Sequence, residues 1–378
     1  MVVRARDVGI KIGSIPTGPL NAITDVPGIR VGHSTLNEGD GSLVVGKGPI
    51  RTGVTLIFPH DGSIWEEPLF AGCHRLNGNG EMTGLEWVRE SGMLTSPIGL
   101  TNTHSVGVVR DALIGLEVRE RSGSHPFWSL PVVGETWDGM LNDINGFHVR
   151  PEHVNQAQAA ASGGPVPEGG VGSGTGMICH GFKGGIGTAS RVIPEVQGGY
   201  VVGVLVQANH GRRERLTVNG VPVGAYVPAD EVPLPSAPEN PPPGSGSIIA
   251  IVATNAPLLP TQCDRLAQRA GLGIARTGGV GEHTSGDLFL CFSTANRGTA
   301  STDVVAGAPL TMEVRAIVNS HITPLFDAVV EATEEAIVNC LVAAETMVGR
   351  DGVTAYGLDA DRLARVLHDH DPRPRPSS

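Results

Sequence analysis

Two serines stand at a seam in "NPPPGSGSIIAIVATNAPLLP", the stretch from Asn240 to Pro260. Its first half reads as a linker, and at Ile248 it turns into an apolar, β-branched run with the composition of a buried strand. A serine heading such a strand, behind a glycine and a flexible segment, is held rigidly while the peptide before it stays accessible. Its hydroxyl can attack that preceding carbonyl in an N→O acyl shift. Hydrolysis of the ester then leaves the serine with a free α-amine, whose reference pKa of about 7.7 to 8.0 suits a base at neutral pH. Ser247 fits this role better than Ser245, because it abuts "IIAIVAT" whereas Ser245 has a glycine on both sides. On composition alone, a plain Gly-Ser linker accounts for the same letters.

Other chemistry is less well supported. "GGVGSGTGMICHGFKGGIGTASR", from Gly169 to Arg191, contains a GxGxG element of the kind that cradles phosphates. A dinucleotide fingerprint also needs a strand immediately before it and an acidic residue about 20 positions on, and a nucleotide-binding module is the weaker reading. The pairs Cys73-His74 and Cys179-His180 and the triplet His368-Asp369-His370 lack structural-zinc spacing, so no metal and no cofactor is expected. There is no GxSxG elbow. His104 in "TNTHSVGVV" reads as a satisfied, partly buried histidine rather than a base.

The composition limits the partners. The chain has 378 residues, 40% apolar content, 53 glycines and 28 prolines, which predict a folded protein rich in turns and close backbone approaches. A net charge of −11 argues against nucleic acid or an anionic membrane as the partner and leaves a small molecule. The five cysteines form no CxxC pair, the pattern of reduced thiols in a cytoplasmic protein. No signal peptide and no apolar run of membrane length is read.

Elements must hold the seam in place. "GVTLIF" from Gly53, "HSVGVV" from His104 and "GYVVGVLVQAN" from Gly199 read as strands, and "TGLEWVRESG" from Thr83 and Val154 to Ala161 as helices. "VPADEVPLPSAPENPPPGSGS", with seven prolines, is the linker, placed at 227–246. After it are predicted strand "SIIAIVAT", helix "TQCDRLAQRAG" ended by Gly271, strand "DLFLCFST" and a helix from Pro324 to Val348. That last helix has Thr323 as N-cap, Gly349 past its end and one broad buried face. Residues 369–378 read as a disordered tail. Such mixing predicts layered α/β packing.

"GSGSIIAIVATNAPLLP" resembles the start of the smaller subunit in the DmpA-type aminopeptidases, the L-aminopeptidase/D-esterase and β-peptidyl aminopeptidase family. So do, in order, "NAITDVPGIRVGHSTL", "GNGEMTGLEWV", "TNTHSVGVVRDA", "PVVGETWDGMLNDI", "GTGMICHGFKGGIGTASR", "VGVLVQANHG" and "SGDLFLCFSTAN". The resemblance implies an α/β (α+β) fold of four layers, an αββα sandwich similar to N-terminal-nucleophile hydrolases but differently connected. It also implies self-cleavage between Gly246 and Ser247 into pieces 1–246 and 247–378 of one composite domain, assembled as a tetramer of such pairs.

Carried across by motif, Ser247 is the nucleophile, Asn209 the oxyanion donor, and Ser285 and Asp287 the pair that manages protons. Some members have glutamate at the Asp287 position, which leaves open whether this shorter side chain reaches Ser285 directly. Glu135 matches the region that receives the substrate's free ammonium, and Trp137 walls the same pocket. The expected activity is a self-processing serine aminopeptidase acting on short peptides, amides or esters with a free N-terminal amine. Acyl transfer and cleavage of non-peptide amide oligomers are the alternatives on the same architecture.

Overall fold

The computed structural model describes residues 3–121, 126–237, 246–298 and 309–371. In chain order the strands are β1 (Arg30–Glu38), β2 (Ile50–Phe58), β3 (Leu69–Gly78), β4 (Met93–Leu94), β5 (Ile98–Asn102), β6 (Val132–Thr136), β7 (Ile178–Cys179), β8 (Phe182–Lys183), β9 (Gly185–Val192), β10 (Val201–Asn209), β11 (Ser247–Thr254), β12 (Gly286–Ser293), β13 (Met347–Val348) and β14 (Thr354–Ala355). The helices are α1 (Leu85–Ser91), α2 (Val106–Glu120), α3 (Pro151–Ala159), α4 (Val223–Tyr226), α5 (Pro260–Arg276), α6 (Thr323–Ala343) and α7 (Ala360–His370).

Two sheets form the middle of the molecule, one ordered β1-β2-β5-β6 and the other β4-β3-β12-β11-β10-β9. Each contains one parallel pair, β5 with β6 and β11 with β12. A parallel pair needs a crossover, and a helix supplies each one: α2 links β5 to β6, and α5 links β11 to β12. The crossovers lie on opposite outer faces. Residue alternation separates the layers: Ile248, Ala250 and Val252 of β11 join the cluster with α5 and α6, while Ile249, Ile251 and Ala253 join β2, β5 and β12 between the sheets. Val54 and Leu56 of β2 pack instead with Val109, Leu113 and Leu116 of α2 and Val154 of α3. The result is the expected αββα sandwich. Because β11 and β12 sit between β3 and β10, chain from both sides of Gly246 builds one sheet.

Several local readings are corrected. "HSVGVV" is not a strand: Thr103–Ser105 form a single 3-10 turn and α2 follows, with Val106, Val109, Leu113 and Leu116 at helical spacing. The strand is the preceding segment, β5. Helix α5 runs through Gly271 to Arg276, and its neighbour α6 ends at Ala343, so Val348 belongs to β13 and Gly349 is no cap. Thr323 opens α6 instead of capping it.

Nor does α6 bury one face only. Every residue from Ala328 to Ala343 is buried, including Glu331, Glu334 and Glu335, because cations and amides reach them. The linker is tied down at its start, where Arg213 donates to the carbonyls of Val227 and Val232. Residues 238–245, Ser245 among them, lie outside the described residues. Of the tail, Asp369 and His370 finish α7, and residues 372–378 are outside the described residues.

Candidate active site

Ser247 is the first residue of β11 and is buried. Antiparallel pairing sets it directly opposite Asn209, the last residue of β10, so both side chains leave the same face of the sheet. That is the face of Ile249 and Ile251, which looks into the space between the sheets. The Ser247 Oγ accepts a hydrogen bond from the Gly286 N–H at 3.0 Å. Gly246 must be glycine here, since a Cβ would stand 2.0 Å from the Asn209 carbonyl oxygen.

The parallel ladder to β12 brings Asp287 beside Ile248, whose N–H donates to Asp287 Oδ1 at 3.2 Å. Ser285 Oγ donates to the same oxygen at 2.6 Å, so the aspartate reaches the serine directly. Asn77 at the end of β3 holds the Asp287 N–H through Oδ1 at 2.8 Å. Burial pushes the Asp287 carboxyl up to about 6, against the opposing pull of the Ser285 and Ile248 donors.

Glu135 and Trp137 come from the other sheet, at the end of β6. One pocket of about 340 Å³ is lined by Ser247, Gly246, Glu135, Trp137, Thr103, Asn79, Gly80, Glu81 and Thr284. Two glycines separate Ser247 from Glu135: a Cβ on Gly286 would meet Gly80 Cα at 2.5 Å, and one on Gly80 would meet Glu135 Oε1 at 3.2 Å. Glu135 accepts from the Glu81 N–H at 2.8 Å and from Thr103 Oγ1. Burial raises its pKa, the two donors opposing, which leaves a carboxylate that gains from a cationic partner.

The Asn209 amide is fixed at both ends, with Oδ1 accepting from Ile178 N–H at 2.8 Å and Nδ2 donating to the Trp137 carbonyl at 2.9 Å. One Nδ2 hydrogen remains for a ligand. Ile178 belongs to the glycine-rich segment, which leads into the β7–β8 strand pair rather than a helix, so it offers no helix N-terminus to a phosphate. The segment meets the site through a backbone group, the Ile178 N–H on Asn209, and does not line the pocket itself.

Cys179, His180 and His210 cluster behind it, all buried, with Cys179 Sγ 3.8 Å from His210 Nδ1. The charges that act on Cys179 and His180 there include Lys183 and Arg213, a setting that opposes a metal cation. His104 is exposed, not partly buried, and stacks on Phe147.

The structure thus brings Ser247, Asn209, Ser285, Asp287, Glu135 and Trp137 to one end of the sandwich. Sequence reasoning missed Thr103, Asn77, Glu81 and the Gly286 N–H. Thr103, Glu81 and Gly286 lie in motifs that were visible and Asn77 immediately precedes one, but nothing in those motifs says which strand ends meet.

Comparison with known proteins places the chain in a family. Peptidase family S58 matches residues 21–355. The chain is 49% identical over 372 residues to β-peptidyl aminopeptidase BapA of Sphingosinicella microcystinivorans, covering 96% of this chain and 91% of that one. Its structure is similar to a β-aminopeptidase from Burkholderia sp., with a TM-score of 0.91, 53% identity and coverage of 98% and 100% of the two chains. It is also similar to the L-aminopeptidase D-Ala-esterase/amidase of Ochrobactrum anthropi, a prototype for the serine aminopeptidases and a variant of the Ntn hydrolase fold. There the TM-score is 0.86 and the identity 42%, over 97% and 98% of the chains. The chain belongs to peptidase family S58 and is a hydrolase of the serine aminopeptidase class.

Proposed function

We propose that the chain cuts itself between Gly246 and Ser247 and then removes N-terminal residues from short peptides, amides or esters through an acyl-enzyme on Ser247. The observation that carries this reading is that Ser247 and Glu135 line one pocket. In the mature enzyme the substrate ammonium pairs with Glu135, which turns away chains without a free amine. Ser247 Oγ attacks the carbonyl, and its proton passes to the new α-amine or into the Ser285–Asp287 pair. Asn209 Nδ2 donates to the oxyanion, the protonated amine leaves, and water hydrolyses the ester. Trp137 walls the ammonium site. L-residues, D-alanine amides and esters, and β-residues all present an amine close to the scissile carbonyl, and these are the classes that the relatives' names carry.

Assembly as a tetramer of processed pairs belongs to the same proposal. It is supported by the segment before α6, without regular structure, in which Leu310, Met312, Val314 and Val318 are all exposed, apolar side chains that another surface would cover. A cytoplasmic setting is supported by five free, buried cysteines.

The test is denaturing electrophoresis of purified protein with N-terminal sequencing of the smaller band, beside the Ser247→Ala variant. A band beginning at Ser247 is expected in the wild type, and a persistent 39.2 kDa chain without turnover in the variant. An active protein that stays whole, or a terminus at Ser245, overturns the scheme. Product analysis with an added amine separates hydrolysis from acyl transfer.

A further inference from the structure

Lys183 is fully buried and takes no part in the steps above. Its ammonium donates to three backbone carbonyls, Gly174 at 3.1 Å, Met177 at 2.9 Å and Gly184 at 2.7 Å, which matches its three N–H bonds one to one. The Met177 carbonyl also accepts from the Gly184 N–H at 2.8 Å. That carbonyl and the Ile178 N–H belong to one peptide group, and in a planar trans peptide they point in opposite directions. The N–H end is the one that donates to Asn209 Oδ1. The protonated Lys183 amine therefore sits behind a peptide dipole aimed at the Asn209 amide, and Asn209 passes the polarisation on through Nδ2.

We propose that Lys183 is a positioning residue for the oxyanion site, orienting and polarising Asn209 through the Met177–Ile178 peptide. The proposal rests on the reading of Asn209 as the oxyanion donor. Chains of hydrogen bonds polarise one another, by roughly 10–30% per bond, and a buried charge at the head of the chain adds to this in low dielectric. Burial lowers the Lys183 ammonium to about 7, and the titratable groups that act on it are the Cys179 and Cys340 thiols, both pushed up by burial. A lysine needed only to fill space would be replaceable by methionine, which keeps the stem and loses the charge.

Lys183→Met and Asn209→Ala, singly and combined, are compared with full-length wild type on β-alanyl p-nitroanilide, with rates normalised to Ser247 termini counted by mass spectrometry. Expected are a fall in kcat of about tenfold or more for Lys183→Met with KM within twofold, about a hundredfold for Asn209→Ala, and a double variant close to Asn209→Ala alone. A folded Lys183→Met with wild-type kcat, or losses that multiply in the double variant, overturns the proposal. If Lys183→Met does not fold, Ile178→Pro removes the relay N–H and leaves Lys183 in place; the same loss in kcat supports the proposal and wild-type kcat overturns it. Normal turnover in Asn209→Ala or Ser247→Ala would instead sink the catalytic reading on which it stands.

Discussion

Asn209 stands directly opposite Ser247 across the β10–β11 ladder, and its backbone carbonyl lies so close to Gly246 that no side chain fits there. The same contact fixes the peptide proposed to be cut. In Gly246→Ala the new Cβ would meet the Asn209 oxygen at 2.0 Å, so the residue before the scissile bond must move. A displacement of about 1 Å from reactive geometry can cost on the order of a hundredfold in rate. A time course on denaturing gels is expected to show self-processing slowed at least tenfold, the sequence of the smaller fragment being unchanged.

Glu135 has two neutral partners, the Glu81 N–H and the Thr103 hydroxyl, and among the described residues no cation hydrogen-bonds to it. Glu135→Gln keeps the shape and removes the charge that an ammonium would meet. A hydrogen bond to a charged group contributes about 1.5–3 kcal/mol, so kcat/KM for amine-bearing substrates is expected to fall roughly 10- to 150-fold. N-acetylated substrates, already poor, should be unaffected. Because burial raises the Glu135 pKa, KM of the wild type should rise on the acid side at a higher pH than an ordinary glutamate would give.

In the proposed mechanism Asp287 sets the pH dependence of the chemistry. Its ionised form accepts from both Ser285 and the Ile248 N–H, and burial raises its pKa to about 6. Below that value the carboxyl is protonated and cannot accept the Ser285 proton in the same way; above it the acceptor is available. The expected profile is a kcat that drops as pH falls through about 6. Asp287→Asn should lower kcat by about 10²–10⁴ and flatten that limb. A limb that survives in the variant would assign the titration elsewhere.

The seam was legible because its signals are local: a Pro/Gly run, then eight residues buried on both faces in β11. Layered α/β packing followed from the same kind of signal, a mixture of apolar strands and helices, whereas the four-layer αββα order was implied by the family resemblance. The misread "HSVGVV" shows the limit. Six residues with three valines fit a strand or the first turns of a helix, and only the continuation through Leu113 and Leu116 decides. What the letters did not carry is apposition. That Gly80 and Gly286 touch, that Thr103 reaches Glu135, and that Asn77 holds Asp287 are consequences of β3 pairing with β12 and of two sheets stacking, over separations of up to 210 residues.

Helix α6 supplies the remaining prediction, through a buried charge cluster that periodicity alone could not reveal. Arg191 of β9 is completely buried and donates to Glu331 Oε2 at 2.9 Å and Glu335 Oε2 at 2.7 Å. Arg6 and the Asn21 amide also reach Glu335, and these donors together hold its carboxyl below the ordinary range despite its burial. Arg191→Met would fill most of the space but strand part of the negative charge between α6 and the sheet. Removing one partner of a buried pair destabilises a protein by about 3–5 kcal/mol, more than the pair itself contributes against a hydrophobic replacement. Denaturant unfolding should therefore show a loss of that size. Adding Glu331→Gln in the Arg191→Met background should recover part of it, because the second change removes the unpaired carboxylate, whereas Glu331→Gln alone should destabilise.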